Sequence, residues 1–169
     1  GMTLYAPCTS LWGTACRPDR CWTFREGPPI VPSRLMNRLS ASDDGYRYLN
    51  TDIKFSYAVL RKDHLTREPY RIPRNTKALR LSRLQGHKNR RVNVVVARMS
   101  GDLGGGHGDH VFKVCDGTPQ KPVFAVVPEH HAPRARALLA GHYGEILSLE
   151  NVLVRLNPAR DAYNLFVDR

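Results

Sequence analysis

Apolar and polar positions follow no period before residue 50 and a clear one after it. Thr51–Leu60 alternates Ile53, Phe55, Tyr57 and Val59 with Lys54, Ser56 and Ala58, the two-residue period of a half-buried strand. On this reading Phe55 and Tyr57 face a core. Arg91–Arg98 carries Val92, Val94, Val95 and Val96 and predicts a well-buried strand. His110–Cys115, Val123–Val127, Ile146–Leu149, Val152–Leu156 and Ala162–Val167 predict further strands, with Asn157-Pro158-Ala159-Arg160 turning the last two into a hairpin. Pro133, ahead of an Ala/Leu/Arg run to Leu139, predicts a short helix, and Ser33–Leu39 another. Between Thr76 and Gly86 two patterns compete: a short capped helix, or an extended edge alternating Leu79, Arg80 and Leu81. About six short strands separated by turn signals argue for a mainly β fold, a small Greek-key or OB-like barrel or a sandwich.

Residues 1–50 hold three of the 4 cysteines, several prolines and the turn cluster Ser40–Gly45. The expected organisation is therefore a metal-held irregular N-terminal segment, residues 1–50, followed by a β-barrel-like basic domain, residues 51–169. Cys8, Cys16 and Cys21 are spaced C-x7-C-x4-C, and Cys115 stands where a strand enters the turn Asp116-Gly117. Three thiols from a loop and one from a distant strand can close a tetrahedral shell around a metal or cluster, stapling the loop to a β core. Separate thiols and disulfides are the competing readings. Sparse cysteine usage suits a reducing compartment and weighs against disulfides. The spacing is neither that of a zinc ribbon nor that of a small ferredoxin.

Charge changes the picture once it is located. The net charge is +11, from 26 Lys and Arg against 15 Asp and Glu. Nearly all of the excess lies in one stretch: Arg61, Lys62, Arg67, Arg71, Arg74, Lys77, Arg80, Arg83, Lys88, Arg90, Arg91 and Arg98, opposed only by Asp63 and Glu68. Such a belt repels itself unless a polyanion neutralises it. Its preference for Arg over Lys favours forked phosphate contacts and stacking on bases. Aromatic residues interleave with cations nearby: Trp22, Phe24, Tyr46, Tyr48, Tyr57 and Tyr70 beside Arg25, Arg47, Lys54, Arg61 and Arg71. Stacking rings and phosphate-binding guanidiniums are the usual division of labour for unpaired RNA. No run approaches the ~20 apolar residues of a membrane span, so no membrane partner is expected.

The chain shows no self-contained catalytic grouping. There is no H-x-E with P-C-x-x-C, no G-x-S-x-G, no H-E-x-x-H and no Walker loop. Gly101, Gly104, Gly105 and Gly106 follow the Val94–Val96 strand, but no helix follows to complete a phosphate cradle, so the loop reads as a hairpin tip. Asp102, His107 and His110 in the same loop are metal-ligand types on poor scaffolding.

Several short motifs occur in a recognisable order: Ala6-Pro7-Cys8, Cys16-Arg17-Pro18-Asp19-Arg20-Cys21-Trp22-Thr23-Phe24, Lys54-Phe55-Ser56-Tyr57-Ala58-Val59-Leu60-Arg61, Arg83-Leu84-Gln85-Gly86-His87 and Cys115-Asp116-Gly117. Over roughly residues 6–120 the chain resembles the C-terminal part of the methyltransferase-like proteins that act on the mitochondrial small ribosomal subunit. The resemblance implies a four-iron (4Fe-4S) cluster on Cys8, Cys16, Cys21 and Cys115, with zinc as the alternative. It also implies ribosomal RNA and small-subunit proteins as partners, and the mitochondrial matrix as location. The methyl-donor domain of that family would lie upstream of this region, so no methyl transfer is assigned to this chain. Two other roles fit the same residues: a zinc-stabilised protein–protein adaptor, or an accessory domain of a methyltransferase whose catalytic domain lies elsewhere.

Overall fold

The computed structural model of the protein describes residues 3–6, 10–13, 25–26, 31, 33–40, 54–55, 57–63, 65, 69–104 and 108–168. The first half contributes β1 (Thr3–Ala6), β2 (Arg25–Glu26), α1 (Arg34–Ser40), β3 (Lys54–Phe55) and β4 (Val59–Arg61). A 3-10 turn, Leu81–His87, leads into β5 (Arg91–Arg98), β6 (His110–Cys115) and β7 (Val123–Val127). A second 3-10 turn, Glu129–Arg134, and α2 (Arg136–Ala140) connect to β8 (Ile146–Asn157), and the turn Pro158–Arg160 leads to β9 (Ala162–Phe166).

Strands β5 to β9 close a barrel in the order β5-β6-β7-β9-β8, with β8 returning to β5. Every neighbouring pair is antiparallel except β7 and β9, which run parallel from Val123↔Tyr163 to Val126↔Phe166. Closure leaves the barrel strands no exposed edge to recruit another chain. The two-residue period decides what fills it. Val94, Val96, Phe112, Val114, Val123, Ala125, Val127, Leu147, Leu149, Val152, Val154, Tyr163 and Leu165 form one core. Leu81 and Leu84 plug one end of this core, Ala135 and Leu138 the other.

The 12-residue β8 needs a bulge to contribute along its whole length. Val92 pairs with Val152 and Val94 with Leu149, so Glu150 and Asn151 together oppose Asn93. Asn151 takes φ 54, and its N–H donates to Asn93 Oδ1 at 2.8 Å. The extra residue switches the inward set from Leu147 and Leu149 to Val152 and Val154. What reads in sequence as two strands is therefore one bent strand. The stretch 76–86 follows neither pattern throughout: Thr76 caps no helix, residues 76–80 form no strand, and Leu81 belongs to a 3-10 turn with no side-chain cap. Leu79 N–H donates to Asn93 O at 2.7 Å beside β5, and the 3-10 turn begins at Leu81.

A second, smaller apolar cluster lies on the outside of β5. Leu11, Ile72 and Val95 are buried together, with Trp12, Ala78 and Ile146 against them. Residues 10–13 and 72–80 thus drape over the β5 face that looks away from the core. The rest of the first half is built differently. Among the described residues, β1 pairs with β4 and β2 with β3, and neither pair joins the barrel. Within the expected strand Thr51–Leu60, residues 51–53 and 56 lie outside the described residues, and the rest forms two short strands that pair in different sheets. Phe55 is 47% exposed, which overturns its reading as a core residue; Tyr57 is half-buried, its ring centroid 6.5 Å from that of Phe55. Alternation alone does not establish that a strand is buried. No helix among the described residues is long and apolar enough to cross a membrane.

Candidate nucleic-acid interface and cysteine site

Asp116 is the centre of the junction between the barrel and the N-terminal chain. It directly follows Cys115, is fully buried, and is surrounded by donors. Its Oδ1 accepts from Thr118 N–H at 2.8 Å and Thr118 Oγ1 at 2.7 Å. Its Oδ2 accepts from Trp12 Nε1 at 2.8 Å and Leu81 N–H at 3.0 Å. Its backbone carbonyl accepts from Leu11 N–H at 3.2 Å, and Leu11 O accepts from Ile72 N–H at 2.8 Å. A buried carboxylate costs stability unless its lone pairs are used, and here four side-chain hydrogen bonds use them. The Arg80 guanidinium lies 4.7 Å from the Trp12 ring centroid and closes the junction from outside.

Cys115, at the end of β6, is half-buried, and its Sγ accepts from Gly117 N–H at 3.3 Å. Gly117 has φ 86, a backbone state that favours glycine at this turn. A backbone N–H aimed at sulfur is the kind of partner that orients a metal-ligating cysteine. Cys8, Cys16 and Cys21 lie outside the described residues. Leu11, which follows Cys8 by three positions and precedes Cys16 by five in sequence, donates its N–H to the carbonyl of the residue after Cys115. Among the described residues, no group of three or more His, Cys, Asp and Glu side chains is arranged to hold a metal ion.

The basic belt separates into distinct populations. Arg98 is a correction: it is 9% exposed and works inside the fold. Its Nε donates to Ser100 O at 3.0 Å, and its Nη1 to Leu138 O and Leu139 O at 3.2 Å and to Gly141 O. It thus gathers the carbonyls at the C-terminal end of α2, with its cation 4.3 Å from the Phe112 ring centroid. Burial lowers its pKa, offset by the charges of Asp102 and Glu145. Arg91 grips Asp168 with two bonds, 2.7 and 3.0 Å, and Asn151 O with a third, so it closes β5 against the end of β9. That hydrogen bond raises the Arg91 pKa and holds the Asp168 carboxyl below the ordinary range. Arg61 pairs with Asp63 and stacks 5.3 Å from the Tyr5 ring centroid. Arg71 is half-buried and donates to Tyr70 O at 2.7 Å. Arg67 lies outside the described residues. Lys62, Arg74, Lys77, Arg83, Lys88 and Arg90 are exposed.

Barrel closure adds a cation that the belt in sequence does not contain. Asn89 N–H donates to Val154 O at 2.8 Å, and Val154 N–H to Arg90 O at 3.0 Å, which extends the β5–β8 ladder. Arg155 Nη1 donates to Asn89 Oδ1 at 2.8 Å. Lys88, Arg90 and Arg155 therefore stand together on ordered backbone, although Arg155 is 66 positions from Asn89. The signal was present in the Val152/Val154/Leu156 alternation, which turns Arg155 outward, but its neighbour is set by the barrel.

At the opposite end, Asp102 locks the base of the glycine loop. Its Oδ1 accepts from Gly104 N–H at 2.9 Å and Val111 N–H at 3.0 Å, and its Oδ2 pairs with His110 Nδ1 at 2.6 Å. Partial burial acts to raise this carboxyl, but those hydrogen bonds outweigh it and hold the group below the ordinary range. A Cβ on Gly104 would fall 2.1 Å from Asp109 O, so the close approach requires glycine. His107 lies outside the described residues.

Residues 82–169 match the family described as "Domain of unknown function (DUF8157) C-terminal domain". No curated protein and no solved structure matches the chain.

Proposed function

The chain belongs to this DUF8157 C-terminal domain family, and we propose that it is an RNA-binding module in which a cysteine-ligated centre ties the N-terminal segment to a barrel. The barrel is read as the OB type, a five-stranded Greek-key barrel whose loops and outer strands take oligonucleotides. The observation that carries the reading is the cluster of Lys88, Arg90 and Arg155, three exposed cations on hydrogen-bonded backbone. Phosphates of an RNA strand would neutralise charge that otherwise repels itself. The resemblance to the mitochondrial ribosomal methyltransferase-like proteins gives the RNA its class, ribosomal RNA of the small subunit. It makes the chain part of an assembly factor or ribosomal protein of the mitochondrial matrix.

The centre is proposed on Cys8, Cys16, Cys21 and Cys115. The bond from Leu11 N–H to Asp116 O, which holds residues 10–13 beside Cys115, and the Gly117 N–H on Cys115 Sγ support it. A bound four-iron cluster, or a zinc ion in its place, would supply the cross-link and make folding of the segment depend on metal supply. The protein's own residues do the rest: Asp116 fixes Trp12 and Leu81, and Gly117 orients the sulfur.

Titration of a labelled single-stranded RNA at increasing salt tests the RNA reading. Log affinity should fall against log salt with a slope near ~0.7 for each phosphate contacted. Lys88→Glu with Arg90→Glu should lower that slope by one to two such contacts, or about 0.7–1.4. Binding that ignores both salt and these substitutions would instead favour the adaptor reading.

A further inference from the structure

The outer surface of the barrel is not equally covered around its circumference. Over β5, the cluster of Leu11, Ile72 and Val95 occupies it. Over β6 and β7, the outward residues Lys113 and Val126 are only 7% and 5% exposed, so the chain covers them as well. Over β9 and β8 the outward residues retain solvent access: Asn164, Phe166 and Leu153 are half-buried and Arg155 is exposed. Phe124, on β7 but facing this side, is also half-buried.

Register puts these five side chains in two adjacent rows. Arg155 pairs across to Asn164, and Asn164 to Phe124; Leu153 pairs to Phe166, and Phe166 to Val126. Phe124 and Phe166 are therefore diagonal neighbours on adjacent strands, within reach of aromatic side chains. Asn164 sits between them, and its amide has no hydrogen-bond partner among the described residues. Arg155 stands at the end of the row, anchored by Asn89 next to Lys88 and Arg90. Two rings, an amide with donors and an acceptor, and a guanidinium at the edge form a platform suited to unpaired bases. Rings stack on any base, the amide bonds a base edge, and the cations take the phosphates.

We infer that single-stranded RNA lays its bases on the outer face of β7, β9 and β8, stacked on Phe124 and Phe166 and bonded at Asn164, with its backbone running over Arg155. This rests on the RNA-binding reading and deepens it. It shifts the ligand from the second and third barrel strands that OB barrels usually employ toward β9 and β8, keeping only Phe124 of the third, because Lys113 on β6 and Val126 on β7 are covered here. It also makes the site selective for unpaired RNA, since bases held inside a duplex present no face to a ring.

The test uses the full chain, a fluorescein-labelled oligouridylate and a duplex RNA of equal length, read by anisotropy. Phe166→Ala should weaken oligouridylate binding by roughly 5- to 150-fold, the equivalent of one stacked base, and Asn164→Ala should weaken it less. Duplex binding and the salt slope should remain unchanged. Phe166→Trp keeps the platform filled, and its emission, above the Trp12 and Trp22 background, should be quenched by saturating oligouridylate. Wild-type binding that both alanine variants retain, or binding without quenching in Phe166→Trp, overturns this site and leaves the basic cluster standing. A wild-type chain that binds neither RNA overturns the RNA-binding reading itself and this site with it.

Discussion

The barrel and the chain before it satisfy their apolar residues in opposite ways. Among the described residues, the exposed large apolar side chains are Val31, Leu35, Phe55, Val59, Leu60, Leu65 and Tyr70, all before residue 71. The buried apolar residues before that point are Ala6 and Leu11 alone. From residue 72 onward, Phe112, Val114, Val152 and Leu165 are at most 1% exposed within one continuous core. Burial of this kind offsets the entropy of ordering a chain, and its absence does not. Among the described residues before residue 71 little apolar surface is buried, so a further constraint there would add to stability. The proposed thiolate ligation by Cys8, Cys16, Cys21 and Cys115 would supply one.

The largest expected effect contrasts two phenylalanines. Phe112→Ala should cost about 3–5 kcal/mol in urea unfolding, from lost burial and the cavity left behind. Phe55→Ala should stay within about 0.5 kcal/mol, as surface substitutions do. Equal costs would erase the contrast between the regions. Asp116→Ala comes next, at about 3 kcal/mol, because Trp12 Nε1 and the amides of Leu81 and Thr118 lose their acceptor. Limited proteolysis of this variant should cut near residues 10–13 while the barrel strands stay protected in hydrogen exchange. Arg98→Met should cost about 1–3 kcal/mol by leaving the carbonyls of Leu138, Leu139 and Gly141 without their donor. Its effect on RNA affinity should be negligible, unlike that of Lys88→Glu.

The smallest effect is on pH dependence. The Asp102 and Asp168 carboxyls are held below their ordinary value in the folded chain. Such groups contribute stability that is present in full above the unfolded value of about 4 and is lost as pH falls through the lower folded values. Thermal melts should therefore decline more steeply below about pH 4 in the wild type than in Asp102→Asn or Asp168→Asn. Both carboxylates belong to the barrel, so proteolysis of the first half should not follow this change.

The barrel was largely legible because its strands obey a period that one buried face imposes. His110–Cys115 and Val123–Val127 are strands over their expected lengths. β8 read as two strands because a bulge at Glu150 and Asn151 interrupts the period without interrupting the ladder. The site was less legible. Arg98 looks like its exposed neighbours in a list of charges, yet its position at the end of β5 faces the α2 carbonyls. Arg155 lies far from the basic stretch and joins it only through the β5–β8 pairing. Asp116 reads as a turn residue, and only the docking of Trp12 and Leu81 makes it the junction. Long-range partners of this sort are set by topology rather than by local pattern.

The most direct measurement is the iron, sulfide and zinc content of anaerobically purified protein, wild type beside Cys115→Ser. The account predicts about four iron and about four sulfide per wild-type chain, lost in the variant, with the first half becoming protease-sensitive and the barrel still protected. About one zinc per chain, also lost in the variant, would keep the staple and replace the cluster. A wild-type chain without any of these, whose first half resists protease as well as that of Cys115→Ser, would contradict it.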